Sequence, residues 1–258
     1  MEILLPVIIV GIIGLIAGVG LSLASKFMSV PVNENQEKIR DVLPGANCGA
    51  CGFSGCDGYA AALAEGKAEP NKCAPGGASC AASIAEILGV EVSVDPKIAF
   101  IACNGNKNIT KEKYEYSGMK SCTAASMLHK GPLECQYGCI GFGDCAKACP
   151  FGAISLENGK PIVCEDICVG CGKCTTACPK SLISLIPKNH TVTVNCSNRD
   201  KGVSVVKNCS VSCIACGMCV KACENGAVKL ENNLPVIDAN LCTNCGKCKA
   251  ACRRNVLI

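Results

Sequence analysis

The stretch Cys135–Pro150, CQYGCIGFGDCAKACP, ends on the cysteine–proline pair that closes the bacterial iron–sulfur run C-x2-C-x2-C-x3-C-P. Phe142 stands where that run needs its second cysteine. The first question the chain poses is therefore which thiolate replaces it.

Sliding the chain along itself shows that this stretch opens one of two copies. At an offset of 74 residues Cys139, Cys145 and Cys149 fall on Cys213, Cys219 and Cys223, and Cys168, Cys171, Cys174 and Cys178 fall on Cys242, Cys245, Cys248 and Cys252. FGAISLENGKP falls on NGAVKLENNLP in the same register. Each copy therefore holds two cysteine runs separated by a short apolar strand, a Glu-Asn turn and a second strand. This is the layout of a two-cluster ferredoxin, in which the fourth cysteine of each run ligates the other run's cluster. The crossed pattern predicts one [4Fe–4S] site from Cys149, Cys168, Cys171 and Cys174. In the second copy it predicts one from Cys213, Cys216, Cys219 and Cys252 and another from Cys223, Cys242, Cys245 and Cys248. The remaining set, Cys139, Cys145 and Cys178, is one ligand short.

Composition supports cluster chemistry. The chain has 26 cysteines in 258 residues, the density of a disulfide or metal scaffold. Tight C-x2-C-x2-C runs gather several sulfurs at one point, which favours a shared metal centre over disulfides, and three cysteines in register favour iron–sulfur over zinc. Aromatic residues make up 3% and Trp is absent, so cluster ligation is expected to supply much of the folding free energy. The net charge of +4, without a basic stripe interleaved with aromatics, does not indicate nucleic acid.

Residues 3–25, ILLPVIIVGIIGLIAGVGLSLAS, contain no charge and at about 1.5 Å per residue are long enough to cross a bilayer core of roughly 30 Å. They read as a transmembrane helix, because the acid Glu2 stands where a signal peptide carries lysine or arginine. Lys26, Lys38 and Arg40 all follow the span and predict that the rest of the chain is cytoplasmic. SVPVNENQEK then reads as a polar linker. Cys48, Cys51, Cys56 and Cys73, spaced C-x2-C-x4-C-x16-C, predict a further [4Fe–4S] site. DGYAAALAEG reads as a helix capped by Asp57 and stopped by Gly66, and SCAASIAEILG as another ending at Gly89. The expected fold is thus α+β: a membrane anchor (1–27), a small four-cysteine domain (28–95), a cysteine-containing connector (96–134) and tandem two-cluster ferredoxin modules (135–190 and 191–258).

A membrane helix, a C-x2-C-x4-C-x16-C domain and ferredoxin modules in that order resemble the B subunit of the Rnf complex, the membrane-bound ferredoxin:NAD oxidoreductase, in the longer form found in anaerobes. The resemblance covers the whole chain. It implies a subunit of the cell membrane, its cluster domains on the cytoplasmic side. That subunit accepts electrons from soluble reduced ferredoxin and passes them to other Rnf subunits for NAD reduction coupled to movement of Na+ or H+. The residues themselves show no dinucleotide fingerprint after a strand and no Ser/His/Asp set; His129 and His190 read as loop residues. An electron-transfer subunit of another membrane-bound hydrogenase or dehydrogenase, and a corrinoid-dependent methyl carrier, remain open alternatives. Lys247, Lys249, Arg253 and Arg254 crowd one cluster run with positive charge, the expected docking face for an acidic ferredoxin.

For the gap at Phe142 the nearest spare thiol in sequence is Cys135, giving the set Cys135, Cys139, Cys145 and Cys178. The offset also maps Cys122 on Cys196 and Cys135 on Cys209. Cys103, Cys122, Cys196 and Cys209 are then left to form a sixth site beyond the five. A rival pairing joins Cys122, Cys135, Cys196 and Cys209 by pseudo-symmetry and leaves the Phe142 cluster to Cys103 or to a three-iron core. Cys80, among helical alanines, and Cys164, which maps on Asp238, read as plain thiols.

Overall fold

The structure, a computed structural model, describes residues 4–27, 33–93, 95–189 and 192–258. His190 and the boundary drawn between residues 190 and 191 lie outside the described residues, as does the first part of the expected linker.

Helix α1, Leu4–Phe27, runs through the apolar stretch. Its side chains are described at Ile9 and from Gly11 to Ala24, and Ile13, Leu15, Ile16 and Leu21 are all exposed. Among the described residues no helix is long and apolar enough to cross a membrane, so the anchor stays an expectation here.

The supposed linker is helical from residue 34: α2, Glu34–Val42, starts where the Asn33 side chain accepts from Asn35 N–H. It packs with α3, Cys56–Ala64, and α4, Gly77–Leu88. Their shared core is Ile39, Leu43, Tyr59, Leu63 and Ile84. Asp57 is not the cap of α3, since Gly55 holds that position; Asp57 lies in the first turn and pairs with Arg40 at 2.6 Å. Gly89 does end α4, in the left-handed conformation that glycine adopts without strain.

β1, Lys97–Ile101, leaves the expected connector and joins the first ferredoxin module. The helices α5, Cys122–Met127, and α6, Asp144–Lys147, follow, then the hairpin of β2, Ile154–Glu157, and β3, Lys160–Val163, then α7, Lys173–Ala177, and β4, Ile183–Pro187. β1 pairs antiparallel with β4, Ile101 opposite Ile183. The second module repeats the plan with α8, Val203–Asn208, α9, Met218–Lys221, the hairpin of β5, Val228–Glu231, and β6, Leu234–Ile237, and α10, Lys247–Ala250. Each hairpin turns at the predicted Glu-Asn step and places the same register of pairs.

The second copy has its own version of the β1–β4 pairing. Val194 bridges Leu257, the residue 74 positions beyond Ile183, and Asn195 N–H donates to Val256 C=O at 2.7 Å. Val194 therefore occupies the place of Ile101, and Cys196 the place of Cys103, two residues on. The cores agree: Ala99, Cys145, Ile154, Cys174 and Ile183 correspond to Val192, Cys219, Val228, Cys248 and Leu257. Cys103 and Cys135 are 32 positions apart, Cys196 and Cys209 only 13, so the first copy carries 32 − 13 = 19 additional residues. Cys122 lies in that added segment.

Candidate functional site

The cysteines gather into separate groups because each run wraps a glycine-started turn. Gly143, Gly172, Gly217 and Gly246 precede the four short helices with φ between 73° and 81°, a conformation that turns the run back on itself at no steric cost to glycine. The last cysteine of each run then crosses to the other end of its module.

In the second module Cys213, Cys216, Cys219 and Cys252 line one cavity, and Cys223, Cys242, Cys245 and Cys248 line another. In the first module Cys174 has Cys168, Cys171 and Cys149 as its neighbouring thiols, and burial together with these neighbours pushes it up to about 11. These are the three sets the crossed pattern predicts. In the N-terminal domain burial first, then Cys80 and Cys56, push Cys73 up to about 11. Cys56 N–H is fixed by the Asn47 Oδ1 at 2.8 Å, and Cys51 packs on the same core. Cys48 lies on the loop just before, partly buried.

A thiol of the added segment stands at the gap left by Phe142. Cys122 lines a cavity with Cys139, Cys145 and Cys178, and it is among the thiols that, after burial, push Cys139 up and Cys145 to about 11. Cys122 is the first residue of α5, and α5 is tied beside Cys145: Asp144 Oδ2 accepts from Ser121 Oγ at 2.8 Å, Thr123 N–H at 3.1 Å and Thr123 Oγ1 at 3.3 Å. The Tyr116 ring, in the same segment, covers Phe142 with ring centroids 5.7 Å apart. Cys135 is not in this group. The structure places it by Cys103, Cys196 and Cys209, which, after burial, push it up to about 12. The structure thus sets Cys122, and not Cys135, beside Cys139, Cys145 and Cys178, and sets Cys135, and not Cys122, beside Cys103, Cys196 and Cys209. The offset of 74 aligned Cys122 with Cys196 by number, whereas the strand pairing aligns Cys196 with Cys103. The equal spacing of Cys122 to Cys135 and of Cys196 to Cys209, 13 positions each, hid the insertion in the sequence.

Two cysteines lie outside the predicted sets. Cys80 is buried and donates to Val42 C=O at 3.4 Å, next to Cys73; Cys164 is exposed. Among the described residues no three or more His, Cys, Asp or Glu side chains converge tightly enough for a single metal ion. Thiols spread around cavities fit an inorganic core of several irons instead. Backbone N–H groups support that fit by pointing at sulfur: Ala153 at Cys149 (3.3 Å), Leu182 at Cys178 (3.4 Å) and Val256 at Cys252 (3.4 Å). Such amides stabilise bound thiolate and tune the cluster.

The basic face is also partly redrawn. Arg254 turns inward and donates to Cys209 C=O at 2.8 Å and Ser212 C=O at 3.3 Å, and Lys247 pairs with Glu224 at 2.6 Å. Lys249 and Arg253 remain exposed.

Three family models match: an Fe-S cluster model over residues 43–75, a 4Fe-4S dicluster domain over 138–183 and a 4Fe-4S binding domain over 235–258. They cover cysteines of the first four-cysteine domain and of both modules. Among curated proteins, the chain is 44% identical to the B subunit of the proton-translocating ferredoxin:NAD(+) oxidoreductase complex of Clostridium ljungdahlii, over 97% of this chain and 90% of that one. It is 44% identical to the B subunit of the Na(+)-translocating ferredoxin:NAD(+) oxidoreductase complex of Acetobacterium woodii, over 99% and 77%. To the B subunit of the ion-translocating oxidoreductase complex of Methanosarcina acetivorans it is 38% identical, over 95% and 94%. With identity of this level running nearly end to end, and with iron–sulfur domains where the thiols gather, the chain belongs to the B-subunit family of the ion-translocating ferredoxin:NAD oxidoreductase, or Rnf, complex.

Proposed function

We propose that this chain is the electron wire of an Rnf-type complex: it takes electrons from reduced ferredoxin and delivers them to membrane partners, where NAD is reduced and Na+ or H+ is moved. The observation that supports this reading is the row of all-cysteine groups with no second kind of reaction site among the described residues. Ligands for five clusters are Cys48, Cys51, Cys56 and Cys73; Cys149, Cys168, Cys171 and Cys174; Cys122, Cys139, Cys145 and Cys178; Cys213, Cys216, Cys219 and Cys252; and Cys223, Cys242, Cys245 and Cys248. A bound cluster supplies one-electron chemistry at low potential, as expected of all-thiolate ligation. The chain's own residues hold the clusters at fixed positions, exclude water with the small apolar cores and aim amides at the sulfurs.

Position along the chain supports a direction of flow. Cys216 and Cys245 in the second module are exposed, so that module is the receiving end. At the other end a cavity is lined by Cys73 of the N-terminal domain and Cys168 of the first module, which makes these two groups neighbours on the way to the membrane. Helix α1 is read as the single-pass anchor, since an apolar helix exposed on every described side is stable only in lipid or against a partner; the positive residues after it put the clusters on the cytoplasmic side.

Reduced ferredoxin mixed with the purified full-length chain should bleach its cluster absorbance without any reduction of NAD, and the bleaching should fall several-fold at low salt when Lys249 and Arg253 are both changed to Glu. Absence of bleaching removes the electron-wire reading. Normal bleaching in the charge-reversed protein removes only the docking face.

A further inference from the structure

We infer that Cys103, Cys135, Cys196 and Cys209 form a sixth iron–sulfur site, shared by the two modules, whose [4Fe–4S] cluster relays electrons from one to the other. The inference rests on reading the chain as an iron–sulfur carrier, and no family model that matches the chain covers any of these residues.

Four sulfurs from two copies face one another. A methyl group placed on Gly105 would sit 3.6 Å from Cys103 Sγ and 3.9 Å from Cys209 Sγ, so sulfurs of both copies border the same glycine. Cys135 has Cys103, Cys196 and Cys209 around it, and Cys103 has Cys196 and Cys209. All 26 thiols are free, and the group is too spread for one zinc ion.

The donors around it treat these sulfurs as acceptors. Cys139 N–H points at Cys103 Sγ and Cys213 N–H at Cys196 Sγ, both at 3.4 Å, and Asn198 N–H adds a second donor to Cys196 at 3.4 Å. Thr110 Oγ1 reaches Cys209 Sγ at 3.7 Å. A neutral thiol is a weak acceptor, whereas an iron-bound thiolate with aimed amides is the arrangement found around clusters.

The site has the symmetry of the repeat. Cys103 follows β1 and Cys196 follows the bridged residue Val194 at the equivalent place, and Cys135 and Cys209 each open a cysteine run. Residues 74 apart hold the two opening loops: Lys180 Nζ donates to Gln136 C=O at 2.6 Å and to Lys130 C=O, and Arg254 donates to Cys209 C=O. The two cations lock the loops that present Cys135 and Cys209 and place positive charge beside an anionic cluster. The two copies are also tied together by Ser197 Oγ donating to Ala102 C=O at 2.9 Å and by the bridge between Thr110 and Cys209.

Location gives the site its role. The donors Cys139 and Cys213 are themselves members of the neighbouring groups, one in each module. An electron arriving in the second module passes to the shared cluster, reducing it by one, and leaves to the Cys122 group of the first, restoring it; no bond is made or broken.

The test is the iron and acid-labile sulfide content of the anaerobically purified full-length chain, with electron paramagnetic resonance of the reduced protein. Six clusters give about 24 irons per chain and five about 20. The inference expects about 24, with about four lost in Cys103→Ser and in Cys209→Ser, or one cluster converted to a three-iron core, and none lost in Cys164→Ser. About 20 irons in the unsubstituted chain overturns the sixth site and leaves the five-cluster reading intact, whether or not the variants fold. Clearly fewer than 20 overturns the five-cluster reading itself.

Discussion

The two ferredoxin modules of this chain share a scaffold and differ in which part of the chain brings one thiol to the group. In the second, Cys216 sits within its run, between Cys213 and Cys219. In the first, Phe142 takes that place, and the added segment brings Cys122 from outside, held by Asp144 and roofed by Tyr116. The difference teaches that a cluster site is specified by where sulfurs end up and not by the run that usually carries them. On the proposed ligand set, a segment of 19 extra residues with one cysteine and a small helix substitutes for a single position, its end fixed by hydrogen bonds.

The modules also differ in how much protein structure surrounds their clusters. β1 and β4 pair over five residues in the first module, whereas the equivalent contact in the second is shorter among the described residues: the bridge of Val194 with Leu257, flanked by hydrogen bonds of Thr193 with Ile258 and of Asn195 with Val256. The largest expected effect follows from this. Cys252→Ser and Cys178→Ser each remove a crossed ligand and should cost about four irons, because cluster binding and folding are coupled. The second-module variant should show the lower melting temperature by calorimetry. Equal melting temperatures would mean that the β1–β4 pairing adds no stability.

A smaller effect separates Gly141 from its counterpart Ala215. Both have positive φ, +85° and +54°, but a Cβ at Gly141 would run into the carbonyl of Gly159. Gly141→Ala should destabilise the first module by about 1–3 kcal/mol, while Ala215→Gly should change stability by less than about 1 kcal/mol. Chemical denaturation followed by cluster absorbance measures both. If the two substitutions had similar effects, the loop geometries of the copies would be the same.

Smaller still is the contribution of Asp144, whose counterpart is Met218. Burial pushes this carboxyl up, but the hydrogen bonds from Thr123 and Ser121 outweigh it and hold the group below its ordinary value. A carboxylate with a lowered folded value stabilises the native state above its unfolded value, roughly pH 4, and loses that contribution as pH falls through the folded value. Asp144→Asn should therefore cost about 1 kcal/mol near neutral pH, the partial exposure of the site reducing it, and little below about pH 3. Loss of the Cys122 group's cluster at equal rates in the two proteins at neutral pH would show that Asp144 does not fasten the added segment.

Much of this plan was legible in the sequence, because cysteine spacing is a direct imprint of ligand geometry. The offset of 74 defined both modules, both hairpins and three crossed groups, and the glycine-rich N-terminal run defined its own group. What numbering concealed was an insertion. Cys122 and Cys196 agree by offset, yet Cys103 and Cys196 agree by strand pairing, and only β1 crossing to β4 makes that visible. Short strands such as KIAFI have no partner in the sequence, so a residue two positions past one of them cannot be placed by spacing alone. Arg254 shows the same limit: in sequence it belongs to a basic cluster, while in space it turns inward and donates to the carbonyls of Cys209 and Ser212.

The most direct test of the comparison is a transplant of the second module's ligand into the first, read by iron content and by electron paramagnetic resonance of the reduced full-length chain. Cys122→Ser alone should lose about four irons or leave a three-iron core. Adding Phe142→Cys should return the full count and the four-iron signal, since it recreates the position that Cys216 occupies. Retention of all irons by Cys122→Ser would contradict the account, because the Phe142 cluster would then draw its fourth ligand from somewhere other than the added segment.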